Sequence, residues 1–315
     1  MTHIPKILLF AACGALAACA SPILLTESRL PEPSTAMVMP EGGLGAFLAC
    51  MRERDATLIS AHRGGPEPGF PENALETLVH VMAQAPMLLE IDVRRSSDGV
   101  LLLFHDAELD TDTEASGPFA AQTAATLRTL RLRDNDGQLT EARIPALADI
   151  VEWARGRAVL QLDVKRGVPH EEAVAMLQAH DAEDYAAIIT YTIPDAARVT
   201  AASDRVMIST SIDEIEDLDA LIARGIPPER IIAWTGLDTP RPELWAALAE
   251  RGVSANFGTL WTLDEAIAAA GSDEAYARFA QQGADILSTD RHHQAFAALE
   301  TRQNTAEAVR ACGAR

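Results

Sequence analysis

Basic residues are scarce in this chain of 315 residues: 26 Lys and Arg stand against 46 Asp and Glu, for a formal net charge of −20. That balance argues against a nucleic-acid partner and against an electrostatic hold on anionic lipid. Any phosphate site must therefore be a local positive island, made by a few converging lysines and arginines. Several signatures are absent as well. There is no Gly-x-Ser-x-Gly, no Walker loop, no His-Glu-x-x-His and no Cys-x-x-Cys. A serine hydrolase, a P-loop nucleotidase and a zinc protease are thereby disfavoured. No Gly-rich dinucleotide loop follows any expected strand, which weakens an open doubly wound sheet.

The apolar run from Ile7 to Ala18 follows Lys6 and is too short to span a bilayer. It reads as a signal peptide over residues 1–18. Leu16-Ala17-Ala18-Cys19 resembles the lipobox of bacterial lipoproteins, which implies cleavage before Cys19 and a lipid anchor on its thiol. The expected location is the periplasmic side of the bacterial envelope. Residues 19–42, rich in Pro, Ser, Thr and Glu, read as a tether, and 43–315 as the functional domain. Cys13 leaves with the leader, so Cys50 and Cys312 remain. An oxidising compartment permits a disulfide between them; the alternative is two buried or frayed thiols.

The chain is 48% hydrophobic, enough for the core of one large α/β domain. Short β-rich runs alternate with Ala-rich helical stretches. Strands are expected at 57–62, 87–93, 158–164, 186–191, 205–209, 230–234, 252–257 and 284–288. An extra strand at 100–105 follows the turn Ser96-Ser97-Asp98-Gly99 too closely for a crossover helix, so it forms a hairpin with its predecessor. Eight strands alternating with helices predict a (β/α)₈ TIM barrel with a β-hairpin after the second strand. In such a barrel the active site lies at the carboxyl ends of the strands.

Chemistry-bearing residues collect at those ends: His62-Arg63, Glu90-Ile91-Asp92, His105-Asp106 and Asp163-Val164-Lys165. Glu90 and Asp92 lie two apart and share one strand face, where two acids repel unless a cation sits between them. Three carboxylates can hold a hard cation, two imidazoles can move protons near neutral pH, and Arg63 and Lys165 can neutralise a phosphate. Glu72 and Asn73 either cap the first helix or support the site. His80, His170 and His180 read as solvated helix residues, and the acidic runs at 110–114 and 134–137 as solvated loops. Only about 40 residues separate His105 from the next unit, which leaves no room for a large lid domain.

The ordered set His62-Arg63-Gly64, Pro71-Glu72-Asn73, Glu90-x-Asp92, Asp98-Gly99, His105-Asp106, Asp163-x-Lys165 and Ser288-Thr289-Asp290 resembles the glycerophosphodiester phosphodiesterase family, a phospholipase-C-like barrel type. The resemblance implies metal-dependent hydrolysis of a small glycerophosphodiester to glycerol 3-phosphate and an alcohol, through a cyclic phosphate. It implies His62 and His105 as acid and base and Arg63 and Lys165 on the phosphate. Glu90, Asp92 and Asp163 would then hold one Ca²⁺ or Mg²⁺. No protein partner is expected. Asp163 stands where the family usually has Glu, shortening one ligand by a methylene. A phospholipase-D-like enzyme on lysolipids or sphingolipids is the enzymatic alternative, and an aromatic content of 5% argues mildly against it. A non-catalytic phosphate-binding lipoprotein is the other alternative.

Overall fold

The computed structural model describes residues 35–313. The leader, Cys19 and the tether up to residue 34 lie outside the described residues. Eleven strands occur among them, in chain order. They are β1 Leu58–Ala61, β2 Leu88–Arg95, β3 Leu101–Leu103, β4 Arg131–Arg133, β5 Leu139–Arg143 and β6 Val159–Val164. Then come β7 Ala186–Thr190, β8 Met207–Ser211, β9 Ile231–Leu237, β10 Ser254–Gly258 and β11 Ile286–Thr289. All parallel neighbours pair in the order β1-β11-β10-β9-β8-β7-β6-β2, and β1 also pairs with β2, which closes the ring. This is the (β/α)₈ barrel, with eight parallel strands and no free edge. Its strands are buried along nearly their whole length. Near-continuous apolar runs such as Val159-Leu160 and Ile286-Leu287 reflect that two-sided burial.

β3 runs antiparallel to β2, with Val93 opposite Leu103. The hairpin carries the chain back down, and the Phe104 amide donates to the Asp92 carbonyl at 3.0 Å. His105 is thereby returned to the level of Asp92, although it lies thirteen residues further along the chain.

Residues 107–143 form a small annex with its own core around Phe104, Leu109, Phe119, Leu127 and Leu132. Its β4–β5 hairpin went unrecognised in the sequence, because Arg131 to Arg133 and Leu139 to Arg143 are too short and charged to read as strands. The turn between them is solvated at Asn135, Asp136 and Gly137, as expected, but not at its first residue. Asp134 is buried, and its carboxylate accepts from the amides of Asp136, Gln138 and the distant Gly69.

At the opposite end of the barrel, α1 (Gly43–Glu53) packs on the last helix, Thr305–Gly313, and Cys50 and Cys312 form a disulfide with Cα atoms 5.7 Å apart. The end of the stretch assigned to the tether also belongs here. Met37 is buried in the main core and its amide donates to the Arg157 carbonyl at 2.9 Å. A methionine that removes its side chain from water in this way holds residues 35–42 on the domain. No helix among the described residues is long and apolar enough to cross a membrane.

Candidate active site

A cavity of about 400 Å³ opens at the carboxyl ends of the barrel strands. It is lined by His62, Arg63, Glu90, Asp92, His105, Asp163 and Lys165, which gathers every residue expected to act on a phosphate or a cation. Parallel pairing of β2 with β6 sets Asp92 directly beside Asp163, with Glu90 one inward position below on β2. Carboxylate oxygens of the three lie within 4.8 Å of one another.

That proximity is electrostatically costly unless positive charge is present. Lys165, just beyond β6, supplies part of it. Its Nζ lies 2.6 Å from Asp92 and 2.5 Å from Asp163. Burial pushes the Asp92 carboxyl up, but the Lys165 ammonium and the Asn73 amide more than reverse this, and its pKa is lowered. Glu90 makes no ion pair with Lys165, although that ammonium and the Arg63 amide both act to lower its pKa. Burial and then the Asp92 charge hold its pKa well above the usual carboxylate range. Three carboxylates facing one ammonium leave negative charge uncompensated, and an all-oxygen donor set of this kind fits a hard divalent cation.

Arg63 ties the groups together. It sits in the left-handed region at φ 51°, which is unusual for a residue with a side chain. This conformation lets its amide donate to Glu90 at 2.7 Å while its guanidinium reaches Glu72 at 2.8 Å and His105 Nε2 at 2.9 Å. Glu72 and Asn73 are not helix caps. The cap position of α2 (Leu75–Gln84) is Ala74, without a side-chain bond. Asn73 is buried, with its amide donating to Asp92 at 2.7 Å and its carbonyl oxygen accepting from the Asp92 amide at 2.8 Å. An N-cap role would point this side chain at its own helix; the two bonds to β2 hold it elsewhere.

Each histidine is set against a carboxylate. His62 Nδ1 lies 2.7 Å from Asp290, and His105 Nδ1 lies 2.7 Å from Asp106. A carboxylate at Nδ1 fixes the proton there and leaves Nε2 as the proton acceptor, and on His105 that nitrogen already receives the Arg63 bond. Asp290 is itself positioned: its amide donates to buried Asp264 at 2.8 Å, and Asp264 also takes the hydroxyls of Thr289 and Tyr276. The backbone carbonyl of His105 accepts from Arg94.

Asp106 and Asp290 stand in the motifs, next to His105 and at the last strand end, but their sequence positions alone do not show that each holds an imidazole. Tyr191 and Trp261 carried no signal of that kind. Tyr191 donates to Asp163 at 2.8 Å, and Trp261 stands edge-on to His62 with ring centres 5.8 Å apart. Trp261 also adopts φ 58°, a strained backbone held by a bond from its amide to Asp290. Nor are the helix histidines simply solvated. His80 stacks on Phe70 and contacts Glu67, His170 is largely buried with Nδ1 3.9 Å from Asp195, and His180 pairs with Glu152.

Residues 62–224 match the family model described as the glycerophosphoryl diester phosphodiesterase family. A glycerophosphoryl diester phosphodiesterase from Parabacteroides distasonis is 30% identical, with a TM-score of 0.78 over 85% of this chain and 94% of that one. An Oleispira antarctica phosphodiesterase, solved in complex with the product sn-glycerol-3-phosphate, shares the fold at a TM-score of 0.62 and 20% identity over 78% of this chain and 97% of that one. Mouse glycerophosphodiester phosphodiesterase 1 is 32% identical over 122 residues, 38% of this chain and 37% of the mouse protein. The chain thus spans little more than a third of that curated relative's length. With a matching family model over more than half its residues and a solved relative aligned over nearly its full length, the chain belongs to the glycerophosphoryl diester phosphodiesterase family.

Proposed function

We propose that this protein hydrolyses glycerophosphodiesters to glycerol 3-phosphate and an alcohol. The observation that carries the reading is the pairing of two carboxylate-held imidazoles with Arg63 and Lys165 around three clustered acids in one cavity. Glu90, Asp92 and Asp163 would hold one divalent cation, Ca²⁺ or Mg²⁺, which when bound supplies charge neutralisation to the phosphate. Arg63 and Lys165 bind the phosphate oxygens. One of His62 and His105 takes the proton of the glycerol 2-hydroxyl as that oxygen attacks phosphorus, and the other protonates the departing alcohol oxygen at its Nε2. The internal nucleophile avoids the entropy cost of capturing a water in the first step. The resulting cyclic glycerol phosphate is opened by water with the two imidazoles exchanging roles. Export and a lipid anchor on Cys19 complete the reading, and both rest on the leader sequence.

The test is release of glycerol 3-phosphate from glycerophosphocholine by the purified protein, with Ca²⁺ or Mg²⁺, with chelator, and in His62→Ala and His105→Ala. Metal-dependent release abolished by both substitutions is expected. Turnover untouched by either would sink the mechanism, and phosphate binding without turnover in the native protein would favour a binding lipoprotein. A second reading, action on lysolipids, draws support from Tyr191 and Trp261, which line the cavity while remaining 64% and 53% exposed. Faster release of product from a lysophospholipid than from glycerophosphocholine would favour it.

A further inference from the structure

Behind the loop that carries His62 lies a second cluster that the phosphodiesterase reading does not use. His292 and His293 open the helix His292–Gln303, directly after Asp290 and Arg291, and Glu67 comes from the loop between β1 and α2. Glu67 Oε1 lies 3.6 Å from His292 Nε2 and 3.1 Å from His293 Nε2. The three ligand atoms all fall within 4.8 Å of one another. His292 is 2% exposed, and Nε2 of both histidines is buried with no hydrogen-bond partner among the described residues. Two buried nitrogens turned toward one carboxylate oxygen at 3.1 and 3.6 Å, neither in hydrogen-bond geometry with it, suit a ligand between them.

We propose that Glu67, His292 and His293 form a second cation site, separate from the carboxylate trio and selective for a borderline transition-metal ion such as Zn²⁺. The donor set is the reason. Two imidazoles and one carboxylate suit such an ion, whereas three carboxylates suit Ca²⁺ or Mg²⁺. The spacing agrees. A tetrahedral ion with bonds of about 2.0–2.1 Å sets its ligand atoms roughly 3.3–3.4 Å apart, and the two contacts to Glu67 bracket that value. Three protein ligands leave a fourth position for water. His80, stacked on Phe70 with Nε2 3.1 Å from the other Glu67 oxygen, orients the carboxylate.

The location gives the ion a positioning role. The Gly65 amide donates to the His62 carbonyl at 2.9 Å, and a Cβ on Gly65 would come within 2.9 Å of the His292 ring. Asp290, the partner of His62, lies two residues before His292. An ion here would clamp the His62 loop to the segment that carries its carboxylate.

The full chain, stripped of metal and dialysed, would be titrated with Co²⁺ and then with Zn²⁺. Tetrahedral Co²⁺ absorption in the visible and one Zn²⁺ retained per chain are expected. His293→Ala and Glu67→Gln should each weaken that binding at least tenfold, while Glu90→Gln should leave it unchanged. The two substitutions are chosen because neither empties the buried His292 position, and thermal melts of the metal-free variants check folding. Absence of the cobalt band, or a band that persists in both variants, or one lost in Glu90→Gln, would overturn the proposal whatever the outcome of the phosphodiesterase assay.

Discussion

The carboxylate of Asp290 should matter as much through charge as through geometry, and Asp290→Asn separates it from its neighbours with little change in shape. Its Oδ1 lies 2.7 Å from His62 Nδ1. When His62 carries a second proton in the reaction, the two full charges at that distance attract by about 6 kcal/mol at an effective dielectric of ~20 and by about 1.5 kcal/mol in bulk water. The Asp290 side chain is 36% exposed, so the value belongs toward the watery end, about 1.5–3 kcal/mol. That corresponds to roughly a 10- to 150-fold fall in kcat. An asparagine amide can also donate to Nδ1 and so stabilise the wrong tautomer, which pushes the loss higher. KM should change little, since Asp290 is not placed to touch the phosphate. The assay is steady-state release of glycerol 3-phosphate, with a thermal melt to confirm that the variant is folded. A fall of less than threefold, in a background where His62→Ala is inactive, would refute the claim that this carboxylate holds and charges the imidazole.

Two further predictions concern stability. Burial raises the Asp285 carboxyl from its ordinary 3.8 to about 6. A raised folded value means that this group's stabilising contribution is complete below about pH 4 and is lost as pH rises through 6, so above neutrality the ionised group costs at most about 3 kcal/mol. Asp285→Asn, which keeps an oxygen for the Ala255 amide, should therefore raise the Tm at pH 7.5 and lose that advantage at pH 4; a pH-independent shift would contradict this. The Cys50–Cys312 disulfide spans 262 residues, and the chain-entropy model gives it up to about 5.5 kcal/mol. Denaturant melts of Cys50→Ser should show a loss of a few kcal/mol that reductant reproduces in the native chain, and coincident oxidised and reduced curves would refute it.

The barrel and the members of its site were legible in the sequence because each rests on local patterning. Runs such as Val159–Val164 are buried along their whole length, with Leu160, Leu162 and Val164 on one face and Gln161 and Asp163 on the other, and a period of two likewise puts Glu90 and Asp92 on one side whatever surrounds them. Strand ends could be read to within a few residues, which was enough to place His62, Asp163 and Lys165 at the mouth. Other features depend on contacts between distant segments, and no window of sequence contains both partners. Asn73 follows the local rule for a helix cap, yet its side chain bonds Asp92 on a neighbouring strand, where burial makes two satisfied bonds worth more than the cap. His80 looks like a solvated helix residue, and nothing local links it to Glu67, His292 or His293; only closure of β1 against β11 brings α2 beside the helix His292–Gln303 and gathers them. Likewise Asp290 lies 228 residues from the imidazole it holds. Local periodicity therefore determined the fold and named the reactive groups, while ring closure decided which of them meet, because the last strand finds the first only when the barrel is complete.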